Sequence, residues 1–126
     1  MIDNWFAYQA VSPLASTLTT VTRLAQHPLF SLKNPNKVRA LIGTFAVANP
    51  VNFNRPDGKG YAFVASRVLE LDRFNPQIAA RLLSAFRSWK TLEPQRRRLA
   101  KQTLNQISRQ QRLSPDVPEI VGKMLE

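Results

Sequence analysis

Cysteine is absent from the 126 residues and histidine occurs once. Without cysteine there is no disulfide and no thiol nucleophile, which fits a reducing compartment. Zinc needs three or four nitrogen, sulfur or carboxylate ligands, so a lone His27 argues against a metal site in this segment. His27 stands before Pro28 and reads as a loop residue. Nucleophilic catalysis lacks support as well: there is no Gly-x-Ser-x-Gly elbow, and His27 is the one imidazole that could act as a base. Acidic residues are scarce, eight against eighteen lysines and arginines. The closest pair by position, Glu70 and Asp72, lies two apart and so on different sides of a helix. Gly58-Lys59-Gly60 is too short for a phosphate loop. No apolar run approaches the ~18 residues of a membrane span. Met1-Ile2-Asp3-Asn4-Trp5 has no basic stretch leading into an apolar one, so no signal peptide is expected.

What remains is a basic chain with enough apolar residues for a modest core. Its length suits one domain or a piece of one. Hydrophobic residues make up 44%, and the formal net charge is +10 with a pI near 11.2. The charge is uneven. Residues 1–32 hold Arg23 and Asp3, whereas residues 87–112 hold Arg87, Lys90, Arg96, Arg97, Arg98, Lys101, Arg109 and Arg112 against Glu93 alone. Such an excess suits nucleic acid, an anionic surface or an acidic neighbour. Arg96-Arg97-Arg98 with Lys101 is the strongest nucleic-acid signal. Three consecutive arginines spread around a helix, and no aromatic interleaving accompanies them. They therefore read as a solvated face, or one that meets an acidic partner domain, rather than as a nucleic-acid site.

Apolar spacing predicts helices throughout, and no stretch alternates long enough for a strand. A short helix is expected over 3–10, capped by Asp3. A second starts at Ser12-Pro13, with Leu14, Leu18, Val21 and Leu24 inward, and stops at His27-Pro28. A third opens at Asn34-Pro35, with Val38, Leu41, Ile42 and Phe45 as its stripe and Arg39 beside it. Asn49-Pro50 begins a single turn ending near Phe53. Residues 54–60 form a loop around Asp57-Gly58. The next helix, about 60–73, is apolar on two sides and should lie between neighbours. A helix over 76–89 follows, then a basic helix from Glu93-Pro94 to about 111. The last helix starts at Ser114-Pro115 and turns Val117, Ile120, Val121 and Met124 inward. Proline after a capping serine or asparagine recurs at Ser12, Asn34, Asn49, Asn75 and Ser114. Capped helices with short connections imply stacked antiparallel pairs. The fold class is all-α, an irregular α-solenoid of the armadillo or HEAT kind, read as one helical domain over 1–126.

Within the 76–89 helix, Gln77 and Arg81 lie four apart on a face away from the stripe of Ile78, Leu82, Ala85, Phe86 and Trp89. An arginine offers bidentate recognition of a carboxylate. Pattern alone reads Gln77, Arg81 and Arg39 as solvated surface, with binding as the alternative.

An ordered series of motifs resembles a known family. It comprises Asn34-Pro35-Asn36-Lys37-Val38-Arg39 through Phe45, Asn49-Pro50, Asp57-Gly58-Lys59-Gly60-Tyr61, and Asn75-Pro76-Gln77-Ile78-Ala79-Ala80-Arg81-Leu82. Trp5-Phe6, Ser12-Pro13-Leu14 and Gln26-His27 fit as well. The chain is similar over its length to the C-terminal helical domain of bacterial aminopeptidase N, a family of gluzincin-type zinc aminopeptidases. The resemblance implies the last part of a larger superhelical domain that closes over an active site. It places zinc, the His-Glu-x-x-His helix and the catalytic groups in a preceding domain that these residues do not contain. It implies a cytoplasmic parent that removes N-terminal residues from peptides, and a segment inactive by itself. By position, Gln77 would border the pocket for the first side chain. Arg81 and Arg39 would meet the downstream peptide or its terminal carboxylate. No catalytic or metal residue is expected here. The expected partners are the parent's catalytic domain and peptide substrates, with dimerisation through apolar surface left exposed on a severed piece. A free-standing basic module binding nucleic acid or another protein is the alternative.

Overall fold

The computed structural model describes residues 2–11, 16–27, 34–73, 75–110 and 116–125. Every regular element among them is helical. The chain forms two compact units, Met1–Asn54 and Arg55–Glu126.

In the first unit, α1 (Ile2–Val11) packs against α2 (Thr17–Leu24) and against a longer helical run over 35–48. Helix α1 begins at Ile2, one residue before Asp3. The Ser12-Pro13 start falls outside the described residues; α2 is preceded by Ser16, which makes no side-chain cap. After α2 the backbone turns through His27, whose ring meets Trp5 and Phe6 edge-on at 5.8 and 6.0 Å. The imidazole thus covers apolar rings at a helix end, as a loop residue can.

The 35–48 run contains α3 (Pro35–Val38), a π-helical stretch (Arg39–Gly43) and α4 (Thr44–Ala48). Its start is where proline and asparagine place it. Asn34 Oδ1 accepts from the backbone N–H of Asn36 at 3.1 Å and of Lys37 at 3.4 Å, and Pro35 needs no donor there. Val38, Leu41, Ile42 and Phe45 are buried, as their spacing predicts. The π stretch could not be read from that spacing, because one widened turn leaves the apolar stripe intact. Thr44 Oγ1 donates to the carbonyl of Arg39, five residues back, at 3.3 Å.

Asn49 ends this run and is buried. Its Nδ2 donates to the Ala10 carbonyl at 2.8 Å, and its Oδ1 accepts from the Asn52 backbone N–H at 3.3 Å. One amide therefore satisfies a carbonyl at the end of α1 and caps α5 (Pro50–Phe53). Tyr8, Val11, Val47 and Val51 remain exposed in this unit.

In the second unit Gly58 adopts φ +75°, where a side chain would be strained, and leads into α6 (Lys59–Leu71). Asp57 Oδ1 accepts from the Lys59 backbone N–H at 3.0 Å, so the turn and the first helical amide share one carboxylate. That hydrogen bond holds the Asp57 pKa below its ordinary value. Helix α6 packs against α7 (Pro76–Leu82) and α8 (Pro94–Ser108), and buries Tyr61, Phe63, Val64, Val68 and Leu71. It is apolar on two sides because it has neighbours on two sides. Tyr61 is 1% exposed, with its ring 5.8 Å from Phe86. Glu93 caps α8, accepting from the backbone N–H of Arg96 at 2.8 Å and of Gln95 at 2.9 Å. Ala100, Thr103, Leu104 and Ile107 form the buried stripe of α8. That stripe meets α9 (Asp116–Leu125), where Val117 and Val121 are buried. Ser114-Pro115 lies outside the described residues.

One expectation is corrected here. The predicted 76–89 α-helix ends at Leu82, and two 3₁₀ stretches follow, Leu83–Phe86 and Trp89–Thr91. Leu83, Phe86 and Trp89 recur every third residue and are all buried. A period of three matches 3₁₀ geometry, which aligns residues i and i+3.

Candidate functional site

Helix α7 begins where Asn75 Oδ1 accepts from the Ile78 backbone N–H at 3.2 Å, with Pro76 in the first turn. Ile78, Ala79 and Leu82 are buried, which turns Gln77 and Arg81 outward together. The structure thus brings these two onto one exposed face, one helical turn apart. Arg39 belongs to the other unit. It is exposed and opens the π-helical stretch, and its Nη1 donates to Asn36 Oδ1 at 3.2 Å. Single π turns recur at functional positions, an observation independent of the side chain's charge.

Arg81 also borders a groove of about 690 Å³ formed by α7, the two 3₁₀ stretches and α9. Arg87, Lys90 and Lys123 complete its basic lining, and all four cations are exposed. The apolar part is Ala80, Ile120 and Met124, half-buried, with Trp89 beneath them at 6% exposure. Ser84 adds a hydroxyl. Among the described residues no carboxylate lines the groove. Lys123 pairs with Glu119 along α9 at 3.4 Å, an exposed contact that holds the amine only weakly. Among the described residues Arg81 and Arg87 make no ion pair. The Trp89 indole is already engaged: Nε1 donates to the Met124 carbonyl at 2.8 Å, and Lys90 Nζ sits 5.8 Å from the ring centroid.

Chemically, this is a surface that attracts anions and accepts aliphatic groups. Among the described residues its lining includes no histidine and no carboxylate. Among the described residues no three His, Cys or acidic side chains converge to hold a metal, so no step can be assigned to one within them. Sequence reasoning singled out Arg81 but passed over Arg87, Lys90, Lys123 and Trp89 as site residues. A signal existed: Arg81, Ser84, Arg87 and Lys90 share the period of three that also aligns the buried residues beside them. Lys123 could not be paired with them by spacing, because a separate helix brings it there.

The comparisons with known proteins agree with this architecture. A family model described as "Domain of unknown function (DUF3458_C) ARM repeats" matches residues 1–126. Aminopeptidase N of Caulobacter vibrioides is 42% identical over 125 residues, which covers 99% of this chain and 14% of that protein. Aminopeptidase N of Escherichia coli is 39% identical over 125 residues, again with 99% and 14% covered. The crystal structure of Legionella pneumophila aminopeptidase A in complex with aspartic acid is similar with a TM-score of 0.91 and 37% identity, covering 98% of this chain and 14% of that one. The chain therefore spans about one seventh of the length of these relatives, and both the all-α armadillo-type fold and the likeness to aminopeptidase N stand as the sequence motifs implied. With an armadillo-type helical fold and a match over all its residues, the chain belongs to the DUF3458_C family of ARM-repeat domains.

Proposed function

We propose that this chain is the C-terminal helical segment of a zinc-dependent aminopeptidase, forming part of the wall that encloses its peptide-binding cavity. The observation that carries this reading is 36–42% identity to three aminopeptidases N over essentially the whole chain. Bound zinc would activate water and polarise the scissile carbonyl in the parent's catalytic domain. This chain's own contribution is positional. Gln77 borders the space for the first side chain, and Arg81, with Arg39, meets the downstream peptide or its carboxylate. A guanidinium at the distal end of a bound peptide orients the scissile bond without touching it. A cytoplasmic location belongs to the same reading. Tyr8, Val11, Val47 and Val51 would pack against helices the parent contributes, or against a second copy in the isolated chain.

The test is a graft. Residues 1–126 replace the matched segment of the Caulobacter vibrioides enzyme, and hydrolysis of an alanyl chromogenic substrate is measured with and without chelator. The expected result is metal-dependent turnover by the graft and none by the isolated chain with added zinc. Metal-dependent turnover by the isolated chain, or a folded graft that binds zinc but has no turnover, would overturn the reading.

A further inference from the structure

We propose that the groove between α7 and α9 binds an acidic peptide segment whose aspartate or glutamate side chains meet Arg81, Arg87, Lys90 and Lys123 and whose aliphatic side chains rest on Ile120 and Met124. The binding stands on the groove itself. That the segment is the downstream part of a peptide being trimmed rests on the aminopeptidase reading above.

Three observations select this occupant. The first is charge: four exposed cations line one concavity, and among the described residues no carboxylate lines it. Lys123 alone of these four has an acidic partner among the described residues, and that partner is exposed on its own helix. Such a surface raises the local concentration of anions before any contact forms. The second is the apolar strip of Ala80, Ile120 and Met124 along the same groove. A bare inorganic anion would leave that strip wet, whereas a peptide with aliphatic side chains dehydrates it while its carboxylates meet the cations. The volume, about 690 Å³, lies within the ~300–1,000 Å³ typical of sites that enclose small ligands.

The third observation separates peptide from nucleic acid. Binding of unpaired bases relies on open aromatic faces. Among the described residues the one aromatic side chain lining the groove is Trp89, 6% exposed, tied through Nε1 to Met124 and faced by Lys90. Among the described lining residues no ring is free to stack. The exposed cations of α8, Arg97, Arg98 and Lys101, line a convex helix face and not this groove.

The experiment uses the whole chain carrying Trp5→Phe, which leaves Trp89 as the single tryptophan. Its fluorescence and the heat of binding are followed during titration with a hexapeptide of alternating aspartate and leucine, acetylated and amidated so that its termini carry no charge. Saturable binding is expected, weakened at least ~10-fold by Arg87→Glu with Lys90→Glu, two exposed changes whose folding is checked by circular dichroism. Peptides alternating lysine with leucine, or aspartate with serine, should bind at least ~10-fold more weakly. Absence of both heat and fluorescence change, equal binding of either control peptide, or tighter binding of a six-nucleotide thymidine strand would overturn the proposal.

A second arm uses the graft. The double variant should raise KM for an alanyl peptide with two downstream aspartates and leave KM for its diserine counterpart unchanged. An unchanged ratio, with binding intact in the first arm, would remove the substrate assignment. An inactive graft would count against the aminopeptidase reading and not against the groove, which the first arm decides.

Discussion

The indole Nε1 of Trp89 donates a hydrogen bond of 2.8 Å to the carbonyl of Met124, joining the 3₁₀ stretch after α7 to the last turn of α9. The last four carbonyls of a helix lack partners within it, and this bond supplies one. It also ties down the ring beneath the groove, which Lys90 Nζ approaches to 5.8 Å from the centroid.

Trp89→Phe keeps most of the ring and removes the donor. It should cost about 1 kcal/mol and release hydrogen exchange at the end of α9 before the rest of the unit. Trp89→Ala should cost about 3–5 kcal/mol, because a cavity replaces the ring. Urea unfolding of the three proteins checks both values. A phenylalanine variant as stable as the parent, with unchanged protection in α9, would mean that the bond is incidental.

Gly58 offers a test of backbone geometry alone. At φ +75° a Cβ is strained, and it would also sit 3.4 Å from Leu99 Cδ1. Gly58→Ala should therefore lose about 1–2 kcal/mol with no change in the helical circular dichroism signal. Equal stability would show that the turn relaxes to another conformation.

Tyr61 makes a prediction about alkaline pH. Burial pushes its hydroxyl pKa up to about 12 from its ordinary value of 10.0. The folded state then keeps a proton that the unfolded state releases between those values, so stability is intact below pH 10 and falls as pH rises toward 12. Linkage gives a loss of about 1.4 kcal/mol by pH 11 for a shift of that size. Tyr61→Phe should remove this part of the alkaline slope. Denaturant midpoints at pH 9, 10 and 11 provide the comparison, and identical slopes in both proteins would contradict the assignment.

Much of the fold was legible because proline and its capping neighbours carry local chemistry. Asn34, Asn49, Asn75 and Glu93 each accept a backbone N–H close to the predicted position. The buried stripes of the 35–48 run and of α8 follow apolar spacing in the same way. Two features escaped for physical reasons. The π turn at Arg39 leaves the stripe of Val38, Leu41 and Phe45 inward, so spacing cannot reveal it. The end of α7 at Leu82 is hidden because Leu82, Phe86 and Trp89 satisfy an α period while Leu83, Phe86 and Trp89 satisfy a period of three. Packing against α9 decides between them, and that contact is not local. Arg81 was legible as a candidate through its spacing and the family resemblance. The groove beside it was not, since Lys123 and Met124 reach it from another helix.

Arg81 is where the functional reading is most exposed to failure. In the grafted enzyme, KM is measured for an unblocked alanyl dipeptide with a free carboxylate and for an alanyl amide without one, before and after Arg81→Ala. A guanidinium that meets the peptide's carboxylate should make the substitution raise KM for the dipeptide by about 10-fold and leave the amide nearly unchanged. Equal effects on the two substrates would contradict the carboxylate contact and return Arg81 to an ordinary solvated side chain.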